Sequence, residues 1–172
     1  MTAPAEPIAR ASKERTRFWR APMLLSSPLR ISVVEGEDPG NRVILDGLRA
    51  FNEAHLGRSA RPIPVSVFVR DDKGDVVGGI IGQMLWEWLY IDKFWLPESF
   101  RGTGIGSEVM EAAERHAIER GCRWAHLQTL EHQALPFYEH RGYTVFGVLE
   151  GYPPGSRRYH LRKTLVADEG RA

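Results

Sequence analysis

Three glycines at alternate positions, Gly102, Gly104 and Gly106, lie between an apolar segment at residues 88–96 and an amphipathic segment at residues 105–120. Glycine lets the backbone turn tightly and approach a ligand with no Cβ in the way. The first N–H groups of a helix have no partner within that helix, so a strand–glycine–helix unit favours an anion at the helix start. The sequence therefore predicts a strand-to-helix turn that binds a phosphate group.

The residues around this turn distinguish between three interpretations of its function. A Walker loop ends in Gly-Lys-Ser/Thr, whereas this run continues as Gly106, Ser107 and Glu108. A dinucleotide fingerprint needs Gly or Ala where Ser107 stands, and an acidic residue within 120–130, which contains none. A turn that binds nothing is the third interpretation, although three alternate glycines are costly for a mere connection. A phosphate loop of another kind fits better, and Arg101 can add a charge-assisted contact.

The rest of the chain predicts one mixed α/β domain. A nearly continuous apolar run at residues 88–96 indicates a central strand buried on both faces. Alternation at residues 29–34 predicts a first strand. Further strands are expected at residues 64–70, 75–85, 124–130, 143–149 and 158–165, and helices at 41–55, 105–120 and 134–141. This order predicts a single sheet with helices on its faces and no second domain.

Composition excludes several classes of protein. The hydrophobic fraction of 42% and the charged fraction of 26% are ordinary for a globular chain. No apolar run approaches the roughly 20 residues that cross a bilayer, so no membrane partner is expected. The single cysteine, Cys122, forms no internal disulfide, which favours a cytoplasmic location. The six histidines are scattered, with no close pair on a helix face, so no metal site is expected.

Charge is distributed unevenly along the chain. Residues 1–30 carry six Lys or Arg against two Glu, whereas the remainder is mildly acidic. An acidic body argues against a nucleic-acid partner and is compatible with a cationic amine as substrate. Residues 1–28 contain four prolines and no clear period, which indicates a loosely ordered basic tail or a basic arm that docks a partner.

Two motifs in order carry a family resemblance. The Arg-Gly-Thr-Gly-Ile-Gly run at residues 101–106, after a long apolar strand, resembles the acyl-CoA signature of the GNAT acetyltransferases. Ala134, Tyr138, Gly142 and Tyr143 then stand at the spacing of the family's later Ala-x-x-x-Tyr-x-x-x-Gly-Tyr/Phe segment. The spacing between the two motifs is also similar, so the chain is identified as a member of this family.

The resemblance covers about residues 29–165 and leaves residues 1–28 and 166–172 as tails. It implies a GNAT-like domain with a central, mostly antiparallel twisted sheet of about seven strands. Helices flank that sheet, and its middle strands splay apart to admit the pantetheine arm. Homodimers are common in the family, so a homodimer is an expectation for this chain.

The resemblance also implies acetyl-CoA as co-substrate and a set of residues that bind it. The backbone of residues 94–96 would hydrogen-bond the pantetheine arm and supply the oxyanion donor. An asparagine that the family often uses for pantetheine is replaced here by Glu131, and Gln133 is the expected substitute. The full set expected to bind acetyl-CoA is Phe94, Trp95, Leu96, Arg101, Gly102, Thr103, Gly104, Ile105, Gly106, Ser107, Gln133 and Tyr138.

The resemblance implies one catalytic role, that of general acid, while the general base has only candidates chosen by their position. Tyr138 matches the family tyrosine that faces the coenzyme A sulfur as general acid, although a tyrosine packed in the core is the alternative. Glu87, just before the central strand, is the first candidate for general base. Asp92, Glu53 and His55 are the other candidates, and several family members use water chains instead.

The function implied by the resemblance is direct transfer of acetyl from the thioester to a primary amine of a small molecule. An antibiotic, a polyamine or an amino-acid derivative would be such an acceptor. Two alternatives stay open at this point. One is a protein lysine or N-terminal acetyltransferase, and the other is a non-catalytic, regulatory acyl-CoA-binding module.

Overall fold

A computed structural model describes residues 29–166 of the 172-residue chain. The predicted N-terminal tail at residues 1–28, and residues 167–172 of the predicted C-terminal tail, lie outside the described residues. The domain boundaries predicted from the sequence therefore stay predictions. The chain divides into a short unit that ends at Asn41 and a main unit that begins at Arg42.

Three α-helices and six strands form within residues 29–166, close to the bounds expected from the sequence. The helices are α1 (Gly40–Leu56), α2 (Ile105–Glu119) and α3 (Leu135–His140). The strands are β1 (Ile63–Arg70), β2 (Val76–Leu85), β3 (Trp88–Trp95), β4 (Trp124–Leu130), β5 (Thr144–Glu150) and β6 (Arg157–Thr164).

The six strands build one mixed sheet in the order β1-β2-β3-β4-β6-β5. Every neighbouring pair is antiparallel except β3 and β4, which are parallel and joined through α2. A parallel pair needs a crossover connection, and here the glycine-rich turn begins that crossover. The predicted mixed, mostly antiparallel α/β fold is confirmed.

The predicted first strand at residues 29–34 is wrong, so the sheet has six strands instead of about seven. These residues adopt no regular secondary structure, and Leu29, Ile31 and Val33 are largely exposed. Alternating apolar residues would give a strand one apolar face, but a strand also needs a neighbouring strand to pair its backbone N–H and C=O groups. Within the described residues 29–166, no strand pairing is formed by residues 29–34.

The hydrophobic core lies between α2 and one face of the sheet. Val109, Met110, Ala113 and Ala117 recur at helical spacing, so they form one buried face of α2. They pack against buried strand residues that include Ile80, Met84, Leu89, Ile91, Leu127 and Leu161. Burying each large side chain contributes about 1.5–3 kcal/mol, which fixes α2 and the turn before it against the sheet.

One buried carboxylate, Glu114, ties α2 to later parts of the chain. Its Oε1 accepts a hydrogen bond from the Tyr143 hydroxyl at 3.1 Å, and its Oε2 accepts one from Lys163 Nζ at 2.6 Å. The Arg141 guanidinium lies 3.7 Å from the same carboxylate. Burial, together with the Glu114 charge, raises the pKa of Tyr143. These contacts join α2 to β6 and to the end of α3, the helix that carries Tyr138.

Replacing Glu114 by alanine is expected to lower the free energy of unfolding by about 3 kcal/mol, because Lys163 and Arg141 would lose their partner in a buried site. Urea denaturation checks this value. Glu111→Ala is the matched control on the same helix, because Glu111 is exposed and its pair with Arg115 is 3.8 Å long. That control should change stability by less than about 0.5 kcal/mol. Equal losses in the two variants would contradict a structural role for the buried network.

Candidate active site

The candidate site begins where β3 and β4 separate. Their parallel pairing runs from Trp88 opposite Trp124 to Ile91 opposite Leu127 and stops there. Both strands continue, and β3 remains paired with β2 on its other side as far as Trp95. The backbone of residues 92–95 therefore has no strand on the β4 side. The predicted splay of the middle strands is confirmed.

An extra residue in β3 explains where the splay starts. Ile81 of β2 pairs with Lys93 while Gly82 pairs with Ile91, so Asp92 is the unmatched residue of a bulge. A bulge bends its strand and re-aims a side chain. Gly82 permits the close approach, because a Cβ on it would lie 2.3 Å from the carbonyl oxygen of Tyr90. The bend turns the end of β3 away from β4.

A cleft of about 960 Å³ occupies this opening. It extends from the splayed strands to the glycine-rich turn on one side and to α3 on the other. Ten of the residues expected to bind acetyl-CoA line it, namely Phe94, Trp95, Leu96, Arg101, Gly102, Gly104, Gly106, Ser107, Gln133 and Tyr138. Residues that lay far apart in the sequence are thus brought together around one space.

The glycine-rich turn presents its backbone to the cleft. Gly102 and Gly104 have φ values of +73° and +90°, a conformation that other residues adopt only with strain. The carbonyl oxygen of Gly104 accepts from the N–H groups of Ser107 and Glu108, which starts α2. Within residues 29–166, the N–H groups of Gly102, Gly104 and Gly106 donate to no backbone or side-chain acceptor. Three donors at a helix start are therefore available to an anion.

Two residues expected at this turn, Thr103 and Ile105, are not part of the cleft lining. The Thr103 hydroxyl donates to the carbonyl oxygen of Phe100 at 2.8 Å, and the Ile105 side chain packs against the core. Arg101 lines the cleft but pairs with Glu98 at 3.1 Å, with both side chains largely exposed.

Tyr138 lies on the other wall of the cleft, on the short helix α3. Its ring packs edge-on against Phe137 and Tyr143, and the residue is only 6% exposed. Burial raises the pKa of Tyr138 to about 12, so the phenol keeps its proton at neutral pH. Its hydroxyl makes no hydrogen bond to any other part of residues 29–166. Tyr138 therefore brings a protonated donor to the lining of the cleft, with no competing hydrogen-bond partner among residues 29–166.

The comparison with protein families decides the class of protein. The model of the acetyltransferase (GNAT) family matches residues 37–143, which include the splayed strands and the glycine-rich turn. The chain belongs to the GNAT family. Its splay, turn and tyrosine-bearing helix are thus parts of a GNAT domain.

Named relatives agree with this GNAT assignment. Blasticidin-S acetyltransferase from Streptomyces morookaense is 35% identical over 120 residues, covering 69% of this chain and 88% of that protein. An acetyltransferase from Agrobacterium fabrum is 36% identical over 122 residues, covering 71% and 88%. The crystal structure of an acetyltransferase from Bacillus cereus superposes with a TM-score of 0.70 at 30% identity, covering 78% of this chain and 97% of that one. The chain is therefore an N-acetyltransferase of the GNAT type.

Gln133 lies where the GNAT resemblance predicts a pantetheine contact. Its Oε1 accepts from the Leu130 N–H at 2.9 Å and from the Thr129 hydroxyl at 3.3 Å, which closes the turn between β4 and α3. Glu131, at the family's asparagine position, is not part of the cleft lining and lies 3.8 Å from Arg157. Of these two residues, the structure therefore brings only Gln133 to the cleft of this GNAT domain.

The structure does not bring Glu87 to the cleft. Glu87 sits in the two-residue turn between β2 and β3, where it and Trp86 have positive φ values. Its carboxylate lies 3.9 Å from Arg58, and its carbonyl oxygen accepts from the Arg123 N–H. Six residues of β3 lie between Glu87 and Phe94, and the seven residue steps of extended strand span roughly 23 Å. Sequence reasoning placed Glu87 beside the central strand of the GNAT sheet, but at the end remote from the splay.

Asp92 is the carboxylate candidate that lines the cleft. Its Oδ1 accepts from Lys93 Nζ at 2.7 Å and from the Tyr90 hydroxyl at 3.2 Å. The hydrogen bond from Lys93 lowers the pKa of Asp92, so it is ionised at neutral pH. The other two candidates, Glu53 and His55, are not part of the cleft lining. A carboxylate inside a mostly apolar strand is the sequence signal that could have placed Asp92 ahead of Glu87.

Residues 29–166 contain neither a metal-binding cluster nor a membrane-spanning helix. No group of three or more His, Cys, Asp or Glu side chains there is arranged to hold a metal ion. None of the helices in that part of the chain is long and apolar enough to cross a membrane. The expectation that this GNAT protein needs no metal stays a prediction.

Proposed function

We propose that this GNAT enzyme transfers the acetyl group of acetyl-CoA to a primary amine of a small molecule by direct attack on the thioester. The observation that carries the proposal is the cleft itself. It joins unpaired strand backbone, three free N–H donors and the Tyr138 hydroxyl around one space. Those are the groups that a pantetheine arm, a pyrophosphate and a leaving thiolate would each need.

The glycine-rich turn is the proposed pyrophosphate site. Three N–H groups without acceptors, open space above Gly102 and Gly104, and the start of α2 all favour an anion there. Arg101 adds positive charge at the same edge. The unpaired edge of residues 94–96 and the amide N–H groups of Gln133 are proposed to hydrogen-bond the pantetheine.

The chemistry follows from this placement. The neutral amine attacks the thioester carbonyl, a C–N bond forms, and the C–S bond breaks. A backbone N–H on residues 94–96 stabilises the oxyanion, because a fixed donor there costs no reorganisation. Tyr138 donates its proton toward the leaving sulfur. The proton that the amine loses passes to water, and the phenol recovers its own from solvent.

The role proposed for Asp92 is to attract the ammonium form of the acceptor to the cleft. A carboxylate with a lowered pKa is a poor proton acceptor, so water is the proposed base. Glu87 as base stays an untested prediction, to which the geometry adds no support. Because the amine must lose its proton, kcat/KM is expected to rise with pH until it passes the pKa of the acceptor.

A small-molecule acceptor is favoured over a protein by the name of one relative. Blasticidin-S acetyltransferase is named for a small molecule, and 88% of its length is covered by this chain. The alternatives of a protein lysine or N-terminal acceptor and of a binding-only module are outcomes of the test. The cytoplasmic location and the homodimer stay predictions.

The first test is release of free thiol from acetyl-CoA with a panel of polyamines, aminoglycosides, nucleoside antibiotics, amino acids and peptides. Amine-dependent release with small molecules is the expected result. Release with peptides alone would favour a protein acceptor. A rise in melting temperature with acetyl-CoA but no release would favour a binding module, and the absence of both would overturn the proposal.

A further inference from the structure

Four aromatic rings form a ladder on the sheet face opposite α2. The parallel register sets Trp88 beside Trp124 and Tyr90 beside His126. The two indoles stack with centroids 5.3 Å apart and planes tilted by 26°, and Tyr90 stacks on His126 at 4.7 Å and 19°. We call these four side chains the ring ladder. They are neither fully buried nor fully exposed, whereas the residues that alternate with them on β3 and β4 are buried in the core.

A second cavity, of about 230 Å³ and open to solvent, lies against three rings of the ladder, those of Trp88, Tyr90 and His126. Its lining includes Trp86, Trp88, Tyr90 and His126. A cavity of about 150 Å³ in another protein holds one benzene molecule, so this one has room for a six-membered or a fused ring. Aromatic rings favour such walls, because offset or edge-on pairs add free energy beyond burial alone.

The ring ladder is linked to the cleft by hydrogen bonds. The Tyr90 hydroxyl donates to Asp92 Oδ1 at 3.2 Å and accepts from Gln128 Nε2 at 3.5 Å. Asp92 and Gln128 both line the cleft of the proposed acetyl transfer. Along β3, Tyr90 lies roughly 7 Å from Asp92 and roughly 13 Å from Phe94. If the ring of a bound molecule lies on the ladder, the Asp92 carboxylate lies between that ring and the proposed position of the thioester.

Charges of both signs lie along this path. The Asp92 carboxylate, where the ladder meets the cleft, accepts from Lys93 Nζ at 2.7 Å, and the Arg158 guanidinium donates to Gln128 Oε1 at 3.1 Å. An incoming ammonium group would therefore replace the exposed Lys93 side chain as the partner of Asp92. Burial, with the charge of His160 as a smaller cause, lowers the pKa of His126. His126 is therefore a neutral ring at pH 7 and does not repel a cation that passes it.

We propose that the ring ladder and its cavity bind a planar, unsaturated ring of the acceptor, and that Asp92 receives the amine that the same molecule carries. This inference rests on the proposed acetyl transfer and narrows its acceptor. The substrate class is a primary amine separated by several bonds from an aromatic or heteroaromatic ring.

Matched pairs of amines test the proposal. The probes are ω-phenylalkylamines with two to six methylene groups and their cyclohexyl counterparts, assayed by thiol release. The phenyl compounds are expected to have kcat/KM values roughly tenfold above the cyclohexyl compounds. The ratio should be largest for the longer chains, because the ring and the thioester lie well apart.

Replacing Trp88 by leucine should bring that ratio close to one while leaving the acetyl-CoA-induced rise in melting temperature intact. Phe146→Leu is the control, because Phe146 is an exposed aromatic residue on β5 that does not line the cavity. If Trp88→Leu does not melt cooperatively, His126→Leu tests the same ladder.

The outcomes separate this inference from the proposed function. Equal kcat/KM for each phenyl and cyclohexyl pair, or a preference that survives Trp88→Leu, would overturn the ring site while acetyl transfer stands. Acetylation of other amines with none of the phenylalkylamines accepted would also overturn it. If no amine causes thiol release and acetyl-CoA causes no thermal shift, the proposed acetyl transfer, on which the ring site rests, would be contradicted.

Discussion

Replacing Gly104 by valine is expected to abolish measurable binding of acetyl-CoA. The Kd should rise at least about 100-fold, because the loss of charge-assisted hydrogen bonds to a desolvated anion has an effect of this size. Gly104 precedes α2 with φ +90°, and a Cβ there would meet no other atom within 4 Å. The valine side chain would therefore occupy open space, which is where the proposed pyrophosphate contacts the turn. Calorimetric titration of acetyl-CoA into the folded variant measures the effect.

A second glycine, at the other end of α2, provides the control that distinguishes the effect of backbone strain from the effect of excluding the ligand. Gly121 has φ +87°, and a Cβ there would also meet nothing within 4 Å, but it does not line the cleft. Gly104→Val and Gly121→Val should each lose about 1–3 kcal/mol of stability from the left-handed conformation. Only the former should lose acetyl-CoA. Unchanged affinity in Gly104→Val, or equal loss in both variants, would refute the phosphate site.

Local patterns in the sequence predicted most of the fold because they report on burial and turn chemistry. The strand expected at residues 124–130 is β4 as observed, and its residues alternate between the core and the opposite face of the sheet. Residues 29–34 alternate just as well, yet they form no strand. Whether a pattern becomes a strand depends on a partner elsewhere in the chain, and residues 29–34 carry no information about that partner.

The parts of the candidate site that a sequence motif determines could be predicted, and the parts that depend on pairing between strands could not. The turn around Gly104 follows from the spacing of its glycines, and the position of Tyr138 follows from the family motif that it matches. Which carboxylate meets the cleft does not, because it depends on the bulge that makes Asp92 the unmatched residue of β3. That bulge requires Gly82 to lie against Tyr90, a contact between two strands. Glu87 was ranked above Asp92 for lack of this information.

Replacing Tyr138 by phenylalanine is expected to lower kcat by about 10²–10³, the usual effect of removing a general acid. The Kd for acetyl-CoA should stay within about twofold, because the ring and its packing remain and only the interaction with the departing sulfur is lost. Thiol release and calorimetry measure the two effects separately. Tyr143→Phe is the matched control, because that hydroxyl is bound to Glu114 in the core and does not line the cleft. It should lower stability and leave kcat close to the wild-type value.

The pH dependence adds an independent test of the same role. Burial raises the pKa of Tyr138 to about 12, so the acid form is fully present below that pH and is lost only as pH rises through it. The wild-type rate should therefore show no decline up to pH 10, while deprotonation of the acceptor makes kcat/KM rise. Tyr138→Phe should keep that rising limb at a lower level, since the acceptor titrates as before. A wild-type rate that falls between pH 8 and 10, or a variant with wild-type kcat, would remove Tyr138 as the acid.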